Sequence, residues 1–390
     1  MSGRGGRCAR AQTEHMDFYR KILTKLDYSL LISVAAILGI SLFVLQSATT
    51  HLSGSFVMKQ LIWIGVGVVV ILISLRFDYS ILKKYYKHLY ALNVLMLIAV
   101  YTLADSTKGA RSWFNLPGGL GKIQPAEMGK IIIIICLAQF LVERKDKLKT
   151  FKDLIPVFIF TAVPTLLVLI QPDLGTALVY VAIMIGMLYI AGANWKLLTA
   201  LFGGGIAAAV GYIWGIWKFG WPSPLEAHQL NRFLVLFDPN IDRQGIGWNV
   251  RQAKIAIGNG GLLGQGLGSG SQSSGQFLPE QWTDFIFAVF AEELGFIGVA
   301  VLLVLFVFML YRCVRIAMSS KDVFGSLIAT GVMTMYLFHI VENVGMNIGL
   351  MPVTGIPLPF VSYGGSAMLT NFMGLALLLN VYVRRQKLIF

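Results

Sequence analysis

Residues 278–296 read LPEQWTDFIFAVFAEELGF and place four carboxylates, Glu280, Asp284, Glu292 and Glu293, at the mouth of and inside an apolar segment. A charge withdrawn from water must be paired or hydrogen-bonded. Pro279 breaks the preceding structure, and Thr283 can cap a helix. Asp284 would then lie in the first turn, where the helix dipole favours a carboxylate. The same position, at a water–lipid boundary, also suits a general base, so capping and catalysis compete as explanations. Residues 284, 288, 292 and 295 (Asp, Ala, Glu and Gly) fall on one stripe of a continuous helix, a face that rejects lipid. Glu292 and Glu293 lie two turns deeper and read as paired charges that hold shape. Glu280 is a loop residue with an open role.

Four further stretches carry polar chemistry. In KGARSWFNLPGGLGKIQPAEMGK (108–130), Trp113 and Phe114 suit an interfacial aromatic belt. Glu127 and Lys130 share a helix face at i,i+3. They form either a local pair or, with Arg111, the lining of a polar cavity. In QPDLGTA (171–177), Pro172 fits a first helical turn and Asp173 a helix start. Between 231 and 280 the cations are Arg232, Arg243, Arg251 and Lys254, contacts for a diphosphate or an anionic lipid, or merely solvated charges. RQAKIAIGNGG reads as a short amphipathic helix. The glycine run 258–270 lacks the GK[ST] of a phosphate-binding loop, and its amides can approach an anion or simply turn.

The last stretch, 339–369, holds His339 and Glu342, then a loop stiffened by Pro352, Pro357 and Pro359. Ser362, Tyr363, Gly364, Gly365 and Ser366 open the next helix with amides and hydroxyls, a docking site for a diphosphate. No nucleophile–His–acid triad and no metal cluster of standard spacing emerges.

The elements that position these residues are membrane helices. Of 390 residues 56% are hydrophobic and only 13% charged, and several apolar runs approach or exceed the length needed to cross a bilayer. Such runs are too long for barrel strands. The expected fold is all-α and polytopic, with ten spans near 29–47, 56–75, 88–104, 124–142, 153–170, 174–191, 195–214, 283–311, 323–343 and 364–383. The basic stretches RFDYSILKKYYKH, ERKDKLKTFKD, YRCVRIAMSSKD and the tail RRQK all fall on one side of that pattern. The positive-inside rule then puts both termini in the cytoplasm.

The net charge of +13 is therefore a topology signal and not a nucleic-acid footprint. Residues 1–15 read as a disordered tail, with Met16 a possible start, and 16–27 as an interfacial amphipathic helix. Residues 28–390 form one membrane domain with a large outer loop, 215–282, whose length marks function on the outer face. The three cysteines, Cys8 in the tail, Cys136 in a span and Cys313 in a basic loop, suggest no disulfide.

QPAE (124–127), QPDLGTA (171–177), LPEQWTDFIFAVFAEELG (278–295) and PVTGIPLPFVSYGGSAML (352–369) resemble the SEDS family of RodA, FtsW and SpoVE, in order and over essentially the whole chain after residue 16. RFLVLFDPNIDRQGIGWNVRQAKIAIGNGG is more similar to the RodA branch. The resemblance implies a peptidoglycan glycosyltransferase in the bacterial cytoplasmic membrane. It would polymerise the undecaprenyl-diphosphate precursor lipid II on the outer face, beside a class B penicillin-binding protein and other cell-elongation machinery. It implies that Asp284 is the essential aspartate. It directs attention to Arg111, Glu127, Lys130 and the SYGG segment as well. A divalent cation, magnesium or manganese, or outer cations would stabilise the leaving diphosphate. Two other readings are carried forward: a flippase or transporter of lipid-linked precursors, and a scaffold without chemistry. No paired, half-broken inverted repeats are visible to favour transport.

Overall fold

Asp27 opens the first helix by accepting a hydrogen bond from the Leu30 amide at 3.1 Å. The computed structural model describes residues 24–385 apart from 53, 104–111, 116–121, 146, 224–226, 239–240 and 244. The expected tail and most of the expected interfacial helix lie outside those residues, and 24–26 form a turn instead of helix.

The long helices are α1 (Tyr28–Ala48), α2 (Phe56–Arg76), α3 (Leu82–Leu103), α4 (Pro125–Val142), α5 (Phe151–Ile170), α6 (Leu174–Ile190) and α7 (Trp195–Phe219). Three short helices follow, α8 (Ala227–Leu234), α9 (Ile246–Gly260) and α10 (Ser271–Ser274). Then come α11 (Ile286–Met318), α12 (Val323–Ile348) and α13 (Gly365–Val383). Among the described residues, eight helices are long and apolar enough to cross a membrane. Leu174–Ile190 is a shorter apolar helix, and α3 begins with the charged run LKKYYKH. The protein is an all-α, multi-pass membrane protein. Ile32, Val69, Leu95, Ile159, Ile206 and Val304 remain exposed, as helices facing lipid require.

Enclosure is uneven. Helix α13 sits at the centre, packed against α2, α4 and α12, while α12 also packs against α4, α6 and α11. Helix α7 stands at the periphery with few buried residues. Pro156 and Pro164 lie inside α5. At one end of the bundle, ion pairs join Lys83 to Asp322 and Arg312 to Asp27, both at 2.6 Å, and Asp78 meets Lys321 at 3.4 Å. That end gathers the basic stretches. The opposite end, where α4, α6 and α13 begin and α12 finishes, gathers the polar motifs.

Four expectations need correction. Helix α3 starts at Leu82 and not near 88, because Asp78 caps a short 3-10 turn, Tyr79–Ile81, that runs straight into it. The expected outer segment 215–282 does not start at 215, because α7 extends to Phe219; within it α9 covers the expected short helix at RQAKIAIGNGG, with α8 before it and α10 after. Cys313 is buried inside α11 and not in a loop. The expected span 283–311 is broken at Gly295, whose φ of 65° and ψ of −169° are non-helical. Only glycine enters that conformation cheaply. Residues 261–266 fill the break: Phe296 N donates to Gly261 O at 2.9 Å, and Gln265 N and Gly266 N donate to the carbonyls of Glu292 and Glu293 at 3.0 Å.

Candidate active site

The segment before α11 is an irregular turn held from three sides. Gln281 donates to Ala48 O at 2.8 Å, Tyr363 N donates to Trp282 O at 2.9 Å, and the Ser362 hydroxyl donates to Thr283 O at 2.7 Å. Helix α11 starts only at Ile286, with Phe285 as its cap and no side-chain cap bond. Asp284 is therefore not in a first helical turn, and Thr283 is not the cap. Capping no longer accounts for Asp284.

Asp284 lines a cavity of about 370 Å³. The walls come from five places: Ser112 and Trp113; Gln124 and Glu127 at the start of α4; Pro172, Asp173 and Thr176 at the start of α6; Thr354 to Pro357; and Tyr363 to Ala367 at the start of α13. Arg232 of α8 and Glu280 complete it. The strands β1 (Phe114–Asn115) and β2 (Lys122–Ile123) pair antiparallel and bring Trp113 beside α4. Gly355 lies against the carboxylate: its φ is +75°, and a side chain there would stand 3.3 Å from Asp284 Oδ2.

The carboxylates have separate environments. Asp173 caps α6 by accepting from Thr176 N at 2.9 Å, and it accepts from Gln124 Nε2 at 2.6 Å. It is a cap that also faces the cavity; Pro172 lies before the cap, not within the helix. Glu127 pairs with Lys130 at 2.6 Å. Lys130 is buried beneath the cavity and does not line it. Its ammonium also lies 2.9 Å from His339 Nε2, while His339 Nδ1 is 2.6 Å from Met335 O. A carbonyl can only accept, so Nδ1 carries the proton and Nε2 turns a lone pair to the ammonium. Glu342 is buried away from the cavity and accepts from the Thr354 hydroxyl at 2.9 Å.

Glu292 and Glu293 are fully buried and bind amides and hydroxyls, with no cation as partner among the described residues. Glu292 accepts from Ser271 Oγ, Gln272 N and Ser273 N at 3.2, 2.8 and 3.1 Å. Glu293 accepts from Ser47 Oγ and from Gly268 N. The anion approached by the glycine run is thus the chain's own Glu293, and Glu292 is met by the residues just after the run.

The helix-opening motif SYGG divides. Tyr363, Gly364 and Gly365 line the cavity, and Gly364 caps α13 without a side-chain bond. The Ser362 hydroxyl is spent inside, accepting from Leu358 N at 2.8 Å, and Ser366 Oγ donates to Lys122 O. The amides, not the hydroxyls, are the groups this helix start can offer an anion. Arg243 is exposed and, with Arg251 and Lys254, is not brought to the cavity. Arg111 lies outside the described residues. Among the described residues no group of three or more His, Cys, Asp or Glu side chains is spaced to hold a metal ion. No step below is routed through a divalent cation.

Sequence reasoning passed over Ser112, Gln124, Thr176, Thr354 and Gly355 as lining residues, and Asn343 and Asn347 behind them. The two asparagines had a readable signal: His339, Glu342, Asn343 and Asn347 recur at helical spacing on an otherwise apolar α12.

The profile of the FtsW/RodA/SpoVE family, described as cell cycle protein, matches residues 22–387. The peptidoglycan glycosyltransferase MrdB of Escherichia coli K12 is 34% identical over 363 residues, which cover 93% of this chain and 95% of that protein. A chain from a structure described as the structural coordination of polymerization and crosslinking by a peptidoglycan synthase complex superposes with a TM-score of 0.78 at 29% identity, covering 93% of this chain and 99% of that one. The rod shape determining protein RodA of Thermus thermophilus superposes with a TM-score of 0.67 at 27% identity, covering 93% of this chain and 98% of that one.

Proposed function

This chain belongs to the FtsW/RodA/SpoVE family of cell cycle proteins, and from that premise we propose that it is a peptidoglycan glycosyltransferase polymerising lipid II, with Asp284 as general base. The observation that carries the assignment is the convergence of a carboxylate, an arginine and an uncapped helix start on one cavity: Asp284, Arg232 and the Gly364–Gly365 entrance to α13. The acceptor sugar's 4-hydroxyl gives its proton to the Asp284 carboxylate as its oxygen attacks the donor's anomeric carbon. The bond from that carbon to the diphosphate breaks, and its electron pair leaves with the diphosphate. Inversion of an α-linked donor gives a β-1,4 linkage. The leaving group needs stabilised charge more than a second acid, and Arg232 with the first amides of α13 can supply it.

The cavity opens at the bundle end opposite the basic stretches. Together with the positive-inside rule this supports an outward-facing site, ten spans and cytoplasmic termini. The similarity to a chain of a synthase complex supports a crosslinking partner of the penicillin-binding type. A site at a lipid boundary suits a substrate whose polyprenyl tail stays in the bilayer while its sugars stay in water. The test is polymerisation of labelled lipid II by the purified chain with its crosslinking partner. Polymer is expected from the parent protein and not from a folded Asp284→Ala variant. Polymer at the parent rate from that variant overturns the base assignment. Translocation across vesicles without polymer would replace it with a flippase, and partner recruitment alone with a scaffold.

A further inference from the structure

Behind Asp284 stand two buried asparagines. The Asn343 amide group donates to the Asp284 main-chain carbonyl at 3.0 Å and to the Ile356 carbonyl at 2.8 Å. The Asn347 amide group donates to the same Asp284 carbonyl at 3.1 Å and to Asn343 O at 2.8 Å. Both side chains are fully buried.

We propose that Asn343 and Asn347 are positioning residues, clamping the Asp284 carbonyl and the Ile356 carbonyl so that the Asp284 carboxylate is held over Gly355 in the geometry proton transfer requires.

Three observations carry this. Asp284 precedes α11, so its backbone lies outside the regular helical pattern that would otherwise fix it. Two side-chain donors converge on that one carbonyl. The Ile356 carbonyl belongs to the residue after Gly355, whose backbone the carboxylate overlies. One amide group therefore ties the base-bearing segment to the cavity wall it faces. An amide suits the task, since both its N–H groups can be spent on two carbonyls at once. The donors come from the last two turns of a packed helix, α12, and not from a loop, and a helix is where precise positioning is best anchored. A loss of register of about 1 Å in a reacting group costs on the order of 100-fold in rate.

The inference rests on the base assignment of Asp284, and the experiment separates the two. Four variants of the full chain are purified with the crosslinking partner: Asp284→Ala, Asn343→Ala, Asn347→Ala and, as a control, Asn380→Ala. Asn380 is also buried, but it donates to Ser74 O and Phe77 O at the far end of the bundle. The rate of lipid II polymerisation is measured against substrate concentration and pH, with a thermal midpoint for each variant. Asn343→Ala is expected to lower kcat by about 10- to 100-fold, with KM changed less than about twofold. Asn347→Ala is expected to lower kcat by a smaller factor, since Asn343 still holds the carbonyl. The acid limb of the rate profile should move in both. Asn380→Ala should lower the thermal midpoint without separating kcat from KM. If Asn343→Ala does not fold, Asn347→Ala carries the test alone. Unchanged kcat in the folded asparagine variants, with Asp284→Ala inactive, overturns the positioning role and leaves the base intact. An active Asp284→Ala overturns the base itself.

Discussion

Replacing Lys130 by methionine removes a cation that is almost wholly enclosed and leaves Glu127, also buried, without the partner held at 2.6 Å. Breaking a buried ion pair by removing one member costs about 3–5 kcal/mol, because the other charge remains uncompensated. His339 Nε2 would lose its donor as well, and an unmet buried acceptor costs about 1–3 kcal/mol. Glu127→Gln instead leaves the ammonium without a counter-charge, with His339 Nε2 and the amide oxygen as its acceptors. Removing both charges costs less than the sum of the single losses, since a buried pair is worth little against neutral groups of similar volume. Exchanging the charges, Glu127→Lys with Lys130→Glu, should also restore more than either reversal alone. It should not restore everything: a carboxylate at 130 would face the lone pair that Nε2 turns toward it, with the Nδ1 proton committed to Met335 O. The assay is the thermal midpoint and folded yield of each variant in detergent. The expected order is parent, exchanged pair, then single reversals. Additive losses in the double variants would refute a coupled pair.

Gly355→Ala should lower kcat with folded yield largely kept, because alanine at a φ of +75° costs about 1–2 kcal/mol and its methyl would stand 3.3 Å from Asp284 Oδ2. Arg232→Ala should lower kcat/KM for lipid II by about tenfold, the loss of roughly 1.4 kcal/mol from one diphosphate contact, and leave the pH profile in place; an unchanged kcat/KM removes Arg232 from the diphosphate site. Glu292→Leu should lower the thermal midpoint, since Gln272 N and Ser273 N lose their acceptor at about 1–3 kcal/mol for each unmet group. At the other end, burial pushes the Asp322 carboxyl up, but hydrogen bonds from Lys83, Gly325 N and Tyr79 and the Lys83 charge outweigh it and leave Asp322 below the usual carboxylate range. A depressed carboxylate contributes stability above its unfolded pKa of about 3.9, and that contribution is lost as pH falls through the folded value. Asp322→Asn should therefore flatten the acid side of the stability profile while leaving the slope above pH 5 unchanged.

Helix positions were legible because an apolar run without charge permits little else in lipid: each expected span overlaps an observed helix, and eight of the described helices are long and apolar enough to cross a membrane. Their ends were less so. Lys83, Lys84 and Lys87 made the start of α3 read as a loop, whereas Lys83 is spent on the Asp322 cap of α12. The break at Gly295 was hidden, since AEELGF has the composition of a helix and its interruption depends on residues 261–266 arriving from thirty positions upstream. The cavity's walls were legible as motifs. Asp284, Glu127, Asp173 and Gly364–Gly365 do meet at one cavity. Whether a cation reaches that cavity was not legible, because Arg232 and Arg243 look alike in the chain and only the placement of α8 separates them.

The acidic stretch is two structures serving one end. Glu292 and Glu293 end a short half-helix, residues 286–294, and dock the glycine-rich segment across the gap at Gly295. That docking supplies hydrogen-bond partners to the broken backbone, which in lipid would otherwise cost several kcal/mol per group. A half-helix closed in this way has a fixed axis, and its N-terminal approach, Leu278–Phe285, is then pinned by Gln281, Ser362, Asn343 and Asn347. An unbroken helix from 283 would have placed Asp284 in a first turn, its charge engaged with the helix dipole. Breaking the helix deeper and starting it later frees the carboxylate from the capping role and turns it over Gly355. Under the role proposed for Asp284 the buried glutamates act through placement alone, and a variant that loosens them should lose folded protein before it loses turnover per folded molecule.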